Sequence, residues 1–170
     1  MAYAIINIGS NLGNRRLNLA KAVGAVINRF GNYVASHIVE SEPWGYDSPH
    51  PFLNMCVMFL TDLEPEALLD ELQTMERAIS SASHRNADGS YADRLIDIDL
   101  IDYDRQKIST PRLTLPHPRL AERRFFLEPL AEIAPGYTHP ESGLTAQEML
   151  AILAEKEKES ESSSPQTDSM

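Results

Sequence analysis

Asp93-Arg94-Leu95-Ile96-Asp97-Ile98-Asp99-Leu100-Ile101 is the stretch on which the fold turns. Its period is two as far as Leu100. In an extended strand that pattern puts Asp97 and Asp99 on one face and Ile96, Ile98 and Leu100 on the other. The apolar face can pack on a core. The opposite face carries two like charges roughly 7 Å apart along the strand. Without something positive between them, they repel and cost desolvation energy. Carboxylate oxygens suit Mg²⁺, which keeps several waters and takes further ligands from phosphates. Arg94 and Arg85 lie close by in sequence and could meet the same phosphates. The alternative is a half-exposed strand with a solvated acidic face.

Working outward, Tyr3 to Ile8 reads as a buried strand and Gly9 to Asn14 as a Gly/Asn turn. That turn lacks the Lys-Ser/Thr of a P-loop and the spacing of a dinucleotide fingerprint. A helix follows with Leu19, Val23, Val26, Ile27 and Phe30 at helical spacing, stopped at Gly31-Asn32. Tyr33 to Ser41 is a second strand and Phe52 to Leu60 a third, separated by a proline-punctuated loop. Pro65 opens a second helix whose buried face is Leu68, Leu72, Met75 and Ile79. Residues 80 to 92 form a long polar loop, the kind that is usually functional or disordered. The acidic strand comes next, running to about Tyr103. Short β or turn pieces occupy 106 to 114. Pro116 to Phe126 is a second polar-aromatic stretch, and a last helix covers roughly 145 to 155. The order strand, helix, strand, strand, helix, strand is the split βαβ arrangement of an α+β, ferredoxin-like sandwich, with a mainly antiparallel sheet and helices on it.

Composition sets the bounds. The chain has 170 residues, enough for one domain with a real core. We expect that domain over 1–154 and a disordered acidic, serine-rich tail over 155–170, which has almost no apolar residues. A net charge of −10 argues against a general nucleic-acid binder. It leaves a nucleotide ligand open, because Mg²⁺ can supply positive charge. The one cysteine, Cys56, sits in an apolar run and reads as a small buried hydrophobe. No apolar stretch reaches transmembrane length, and the N-terminus lacks a basic leader. A cytoplasmic monomer without membrane or nucleic-acid partners is the expectation.

Several short pieces together carry a resemblance. They are Ile8-Gly9-Ser10-Asn11-Leu12, Phe52-Leu53-Asn54, Met75-Glu76, Arg94 to Leu100, Pro116-His117-Pro118 and Arg123 to Leu130. In this order the chain resembles the 6-hydroxymethyl-7,8-dihydropterin pyrophosphokinases of folate biosynthesis, from Tyr3 to about Gly143. The resemblance implies transfer of pyrophosphate from ATP to the hydroxymethyl group of a reduced pterin, with release of AMP. It implies that Asp97 and Asp99 hold two Mg²⁺ ions and that Arg94 reaches the α-phosphate. It implies a pterin slot between Phe52 and Phe125, with Asn54 reading the aminopyrimidinone edge. Backbone groups around Ser41, Pro43, Trp44 and Gly45 complete that edge. Gln73, Glu76, Ile98, Arg112, Thr114, His117 and Arg123 fall on the ATP side. A flat heteroaromatic ring needs a stacking slot, and a carboxamide offers it both a donor and an acceptor.

The chain departs from the family at one place. Where Gly-Arg-x-Arg is usual after the helical glutamate, this sequence has Ser80-Ser81-Ala82-Ser83. Arg85, just beyond, is the candidate to replace a missing guanidinium in the catalytic set. Two other readings stay open. One is a degenerate relative that binds pterin or ATP and transfers slowly. The other is a different Mg²⁺-dependent nucleotidyl or phosphoryl transferase.

Overall fold

Strand β1 (Ala2–Ser10) is the middle of the molecule, with β4 (Phe52–Thr61) on one side and β5 (Asp97–Tyr103) on the other, both antiparallel to it. A computed structural model describes residues 1–42, 50–80 and 95–162. Beyond β4 lie β2 (Tyr33–Ala35) and β3 (Val39–Ser41), so the sheet runs β2-β4-β1-β5 with β3 also on β4. That antiparallel order, with helix α1 (Arg15–Phe30) after β1 and helix α2 (Pro65–Ile79) after β4, is the ferredoxin-like sandwich expected from the sequence.

Alternation along the strands sorts side chains into two cores. Ala4, Ile6 and Ile8 of β1 face Leu19, Ala22 and Val26 of α1 and Leu68 and Leu72 of α2, together with Ile96, Ile98 and Leu100. Ile5, Cys56 and Ile101 face the opposite way, towards Phe126, Leu127, Leu130 and Met149. These last residues belong to α3 (Arg124–Ile133) and α4 (Ala146–Ser162). Burial at about 25 cal/mol per Å² of apolar surface makes both cores the main stabilising term. Asn14 caps α1 by accepting from the Leu17 N–H at 3.1 Å, and Gly31 ends it at φ +84°. The hairpin β6 (Ile108–Ser109) and β7 (Thr114–Leu115) follows β5.

Three expectations need correction. The first strand does not end at Ile8: Gly9 and Ser10 pair with Asn54 and Leu53 in full register. Gly9 is there for its missing side chain, not for a turn. The second strand is broken, because Ser36 interrupts the ladder. Its N–H donates to the Cys56 carbonyl and its hydroxyl accepts from the Cys56 N–H, both at 2.9 Å. Ala35 pairs with Val57 but Val39 pairs with Asn54, so the edge strand carries one extra residue. The stretch after Arg123, to which the sequence assigns no element, is helical with Pro129 inside α3. Finally, the last helix does not stop near 155: α4 continues to Ser162. Glu and Lys are good helix formers. Glu155 pairs with Lys158, and Glu157 pairs back to Arg124 on α3.

Candidate active site

The register of the central strands builds the site. Asn54 on β4, Gly9 on β1 and Asp97 on β5 form one cross-strand row. Cys56, Asn7 and Asp99 form the next. Paired residues share a face, and Asn7 and Gly9 have the parity of Ile5, so both rows point towards α3. Neighbouring strands are about 4.8 Å apart. The Asn54 amide and the Asp97 carboxylate therefore start roughly 10 Å apart, with only glycine between. A Cβ built on Gly9 would come within 2.8 Å of Asn54 Oδ1 and 3.3 Å of the Phe52 ring. Any larger residue there would push into the Asn54 amide.

Asp97 and Asp99 are half-buried on the wall of a cavity of about 1090 Å³ between β5, α2 and the β7 hairpin. Gln73, Glu76, Ile98, Arg112, Thr114 and His117 line the same cavity, so the structure gathers this set from four separate parts of the chain. A pocket of this size suits a nucleotide. β5 is the sheet edge, and Glu76 Oε2 accepts from the Ile98 N–H at 3.0 Å, which ties α2 to that edge. Arg112 reaches back to Asp70, whose carboxylate raises the guanidinium pKa.

His117 is held with care. Its backbone N–H donates to the Ile101 carbonyl at 2.8 Å, and its Nδ1 accepts from the Arg119 N–H at 3.0 Å. A neutral ring whose Nδ1 accepts carries its proton on Nε2. The Phe126 ring stands edge-on at 5.0 Å. Burial, then the charges of Arg123 and Arg119, pull the His117 pKa down to about 4. His117 is thus a neutral Nε2–H donor at physiological pH.

The other end of the rows is aromatic and amide-rich. The Asn54 carboxamide, 2% exposed, lies 2.7 Å from the Ser41 hydroxyl and 3.3 Å from the Asn7 carboxamide. Phe52 precedes Asn54 by two residues on the same strand face. Phe125 meets Phe126 in a T-shaped contact with centroids 4.9 Å apart. The Arg123 guanidinium lies over both rings, 5.6 Å from Phe125 and 5.0 Å from Phe126. Arg123 is not on the cavity wall with His117, although it lies close enough to depress the His117 pKa.

A family model described as 7,8-dihydro-6-hydroxymethylpterin-pyrophosphokinase matches residues 5–135. The chain belongs to this pyrophosphokinase family. It is 40% identical over 144 residues to a protein of Porphyromonas gingivalis named 2-amino-4-hydroxy-6-hydroxymethyldihydropteridine pyrophosphokinase, covering 84% of this chain and 97% of that one. A Bacillus subtilis protein of the same name is 38% identical over 132 residues, 76% of this chain and 77% of its own. In fold the chain is similar to a Plasmodium falciparum HPPK-DHPS crystal structure with pteroate, at a TM-score of 0.75 and 13% identity. That match covers 95% of this chain and 44% of the other, so this chain spans less than half of that longer protein.

Of the residues expected at the site, Arg85, Arg94, Pro43, Trp44 and Gly45 lie outside the described residues. Two that the sequence reading missed stand at the middle of the cross-strand rows, Asn7 and Gly9. Asn7 carried a signal, being the one polar residue in the apolar run Ala4-Ile5-Ile6-Asn7-Ile8.

Proposed function

We propose that the chain transfers pyrophosphate from ATP to 6-hydroxymethyl-7,8-dihydropterin, releasing AMP, with the residues just described in the following roles. The observation that supports this most is the pair of rows across β4, β1 and β5. They give one sheet face a ring-reading amide, Asn54, and a carboxylate pair, Asp97 and Asp99, with the space over Gly9 between them.

In the reaction the hydroxymethyl oxygen attacks the β-phosphorus of ATP. An O–Pβ bond forms, the bond from Pβ to the α–β bridging oxygen breaks, and AMP leaves with that oxygen. The hydroxymethyl proton passes to solvent water. Such transfers need alignment and charge neutralisation more than covalent help. Asp97 and Asp99 fit Mg²⁺ by donor type, two hard carboxylates on the wall of a nucleotide-sized cavity. Bound there, Mg²⁺ would neutralise the polyphosphate and polarise the reacting phosphorus. His117 donates from Nε2 to a phosphate oxygen. Arg123 and Arg94 supply guanidinium charge, whose planar fork suits phosphate. Gln73, Arg112, Thr114, Glu76 and Ile98 hold the nucleoside end. Phe52 and Phe125 enclose the pterin ring, and Asn54, with the segment Ser41 to Gly45, reads its edge. Arg85 stands in for the arginines replaced by Ser81 and Ser83.

One domain ending near Ala154 carries these residues, and a monomer suffices because one chain supplies them all. Among the described residues no helix is long and apolar enough to cross a membrane, and we place the enzyme in the cytoplasm. Incubating the protein with ATP, Mg²⁺ and the hydroxymethyldihydropterin tests the reading. AMP and pyrophosphorylated pterin in equal amounts support it. Binding of both substrates without AMP would identify a degenerate relative. AMP or ADP formed independently of the pterin would identify another transferase.

A further inference from the structure

Asn7 is 3% exposed and lies in the middle of the central strand. One terminal atom of its carboxamide lies 3.3 Å from the Met55 carbonyl oxygen and 3.2 Å from the Phe125 carbonyl oxygen. Amide nitrogen and oxygen are told apart by their partners. Two carbonyl oxygens can only be faced by a donor, so this atom is Nδ2. The Phe125 carbonyl has a particular need of it. Residue 129 should donate to it within the helix, and residue 129 is proline, which has no N–H. The Asn7 side chain supplies the missing bond from outside α3.

The assignment propagates. With its nitrogen towards α3, Asn7 turns its oxygen to the Asn54 carboxamide, 3.3 Å away. That contact needs a donor, so Asn54 presents its nitrogen to Asn7. Its oxygen then faces the Ser41 hydroxyl at 2.7 Å, which can donate as readily as accept. Every group in the chain Ser41, Asn54, Asn7, Phe125 carbonyl is satisfied in this one direction, as buried polar groups require.

We propose that Asn7 is a positioning residue for the heterocycle site. It bridges the Asn54 side chain to the backbone of Phe125 through the carbonyl that Pro129 leaves open. The bridge fixes the spacing of the two groups that recognise the ring, and it fixes which end of the Asn54 amide points where. The role in ligand recognition rests on the pterin reading above. The bridge itself does not.

The test uses Asn7→Ala, Pro129→Ala and the double variant. Each is measured for thermal stability, and for binding of hydroxymethyldihydropterin to protein saturated with Mg²⁺ and a non-hydrolysable ATP analogue. Asn7→Ala should lower the melting temperature and weaken pterin binding roughly tenfold, the scale of one or two lost buried hydrogen bonds. Affinity for the Mg²⁺-bound analogue should stay within about twofold of the parent. In the double variant the backbone N–H gained on removing the proline restores a partner to the Phe125 carbonyl. Stability should recover, while pterin affinity stays low because Asn54 remains unanchored. Strictly additive losses of stability would overturn the bridge. Pterin affinity unchanged in Asn7→Ala would overturn the positioning role. Should Asn7→Ala fail to fold alone, the double variant carries the affinity measurement. A parent protein that binds no pterin would refute the substrate reading, and the stability cycle would still judge the bridge.

Discussion

Three aspartates stand on β5, and its two ends treat them differently. Asp97 and Asp99, at the start, are half-buried on the wall of the large cavity. Asp102, near the end, is 2% exposed and served by the protein itself. The Tyr137 hydroxyl donates to one of its oxygens at 2.6 Å and the Arg105 N–H to the other at 2.9 Å. Burial raises the Asp102 pKa, and these two hydrogen bonds pull against that rise. The cause of the division is a bulge. Ile6 pairs with Leu100 but Ile5 pairs with Asp102, so Ile101 is the extra residue. Strict alternation would bury Asp102 beside Leu100 under α2. The bulge turns it to the other face, where Tyr137 waits. One strand thus carries a carboxylate sealed in the core and a half-buried pair on the wall of a cavity. An acid with two protein donors is structural; two acids on a cavity wall are suited to a ligand.

The largest expected effect lies at the open end. Asp97→Ala or Asp99→Ala should cut AMP release by about 10³-fold or more, some 4 kcal/mol in the barrier. The free protein should keep its fold, because both side chains are only half-buried on the cavity wall. Near-normal turnover at saturating Mg²⁺ would erase the distinction between the two ends.

The closed end should answer in stability. Asp102→Ala leaves the Tyr137 hydroxyl and the Arg105 N–H without their acceptor, a loss of roughly 1–3 kcal/mol. Asp102→Asn should cost less, since the tyrosine hydroxyl can accept from the new amide and no charge remains to bury. Denaturant titrations of both variants rank them, and an alanine variant as stable as the parent would show that Asp102 is not a structural acid.

A smaller, pH-dependent effect belongs to His117. Its folded pKa of about 4 lies below the ordinary value near 6.5. The unfolded chain therefore takes up the proton first as pH falls. Stability from this group is complete at neutral pH, declines below about 6.5 and levels off near 4. Asp102 acts in the opposite sense, because its folded pKa is raised and stability is gained as pH falls through it. His117→Gln should flatten the decline between pH 6.5 and 4 in a series of thermal melts. A slope unchanged in the variant would remove His117 as its source.

Least should change at the far end of α4. The Arg124–Glu157 and Glu155–Lys158 pairs are exposed, and such pairs contribute about 0–1 kcal/mol. A chain ending at Ala154 should melt within a few degrees of the full chain and keep its activity. A drop of ten degrees or more would mean that the helix end docks far more firmly than its contacts show.

Much of this was legible in the sequence because the signals are local. The period of Ile96 to Leu100, the first-turn Pro65 and the Gly31 stop all report neighbours along the chain. The ferredoxin-like order and most of the cavity set followed from them and from the family resemblance. What could not be read depends on partners distant in sequence. The sequence gives no sign that α3 can run through Pro129, because the side chain near the carbonyl it leaves open, Asn7, is distant in the chain. Gly9 looks like a turn residue until Asn54 is found opposite. The helical run past Glu155 looks like a charged tail until Arg124 is placed beside Glu157. The bulge at Ile101 leaves no mark on the alternation that precedes it.

The most direct test of the account is Mg²⁺-dependent binding of a non-hydrolysable ATP analogue, measured by calorimetry on the parent, on Asp97→Asn/Asp99→Asn and on Asp102→Asn. We predict that the parent and Asp102→Asn bind the analogue far more tightly with Mg²⁺ than without. We predict that the Asp97→Asn/Asp99→Asn protein, shown to be folded by its cooperative melt, loses that dependence. Equal Mg²⁺-dependent binding in all three would contradict the assignment of the cavity-wall carboxylate pair to the nucleotide.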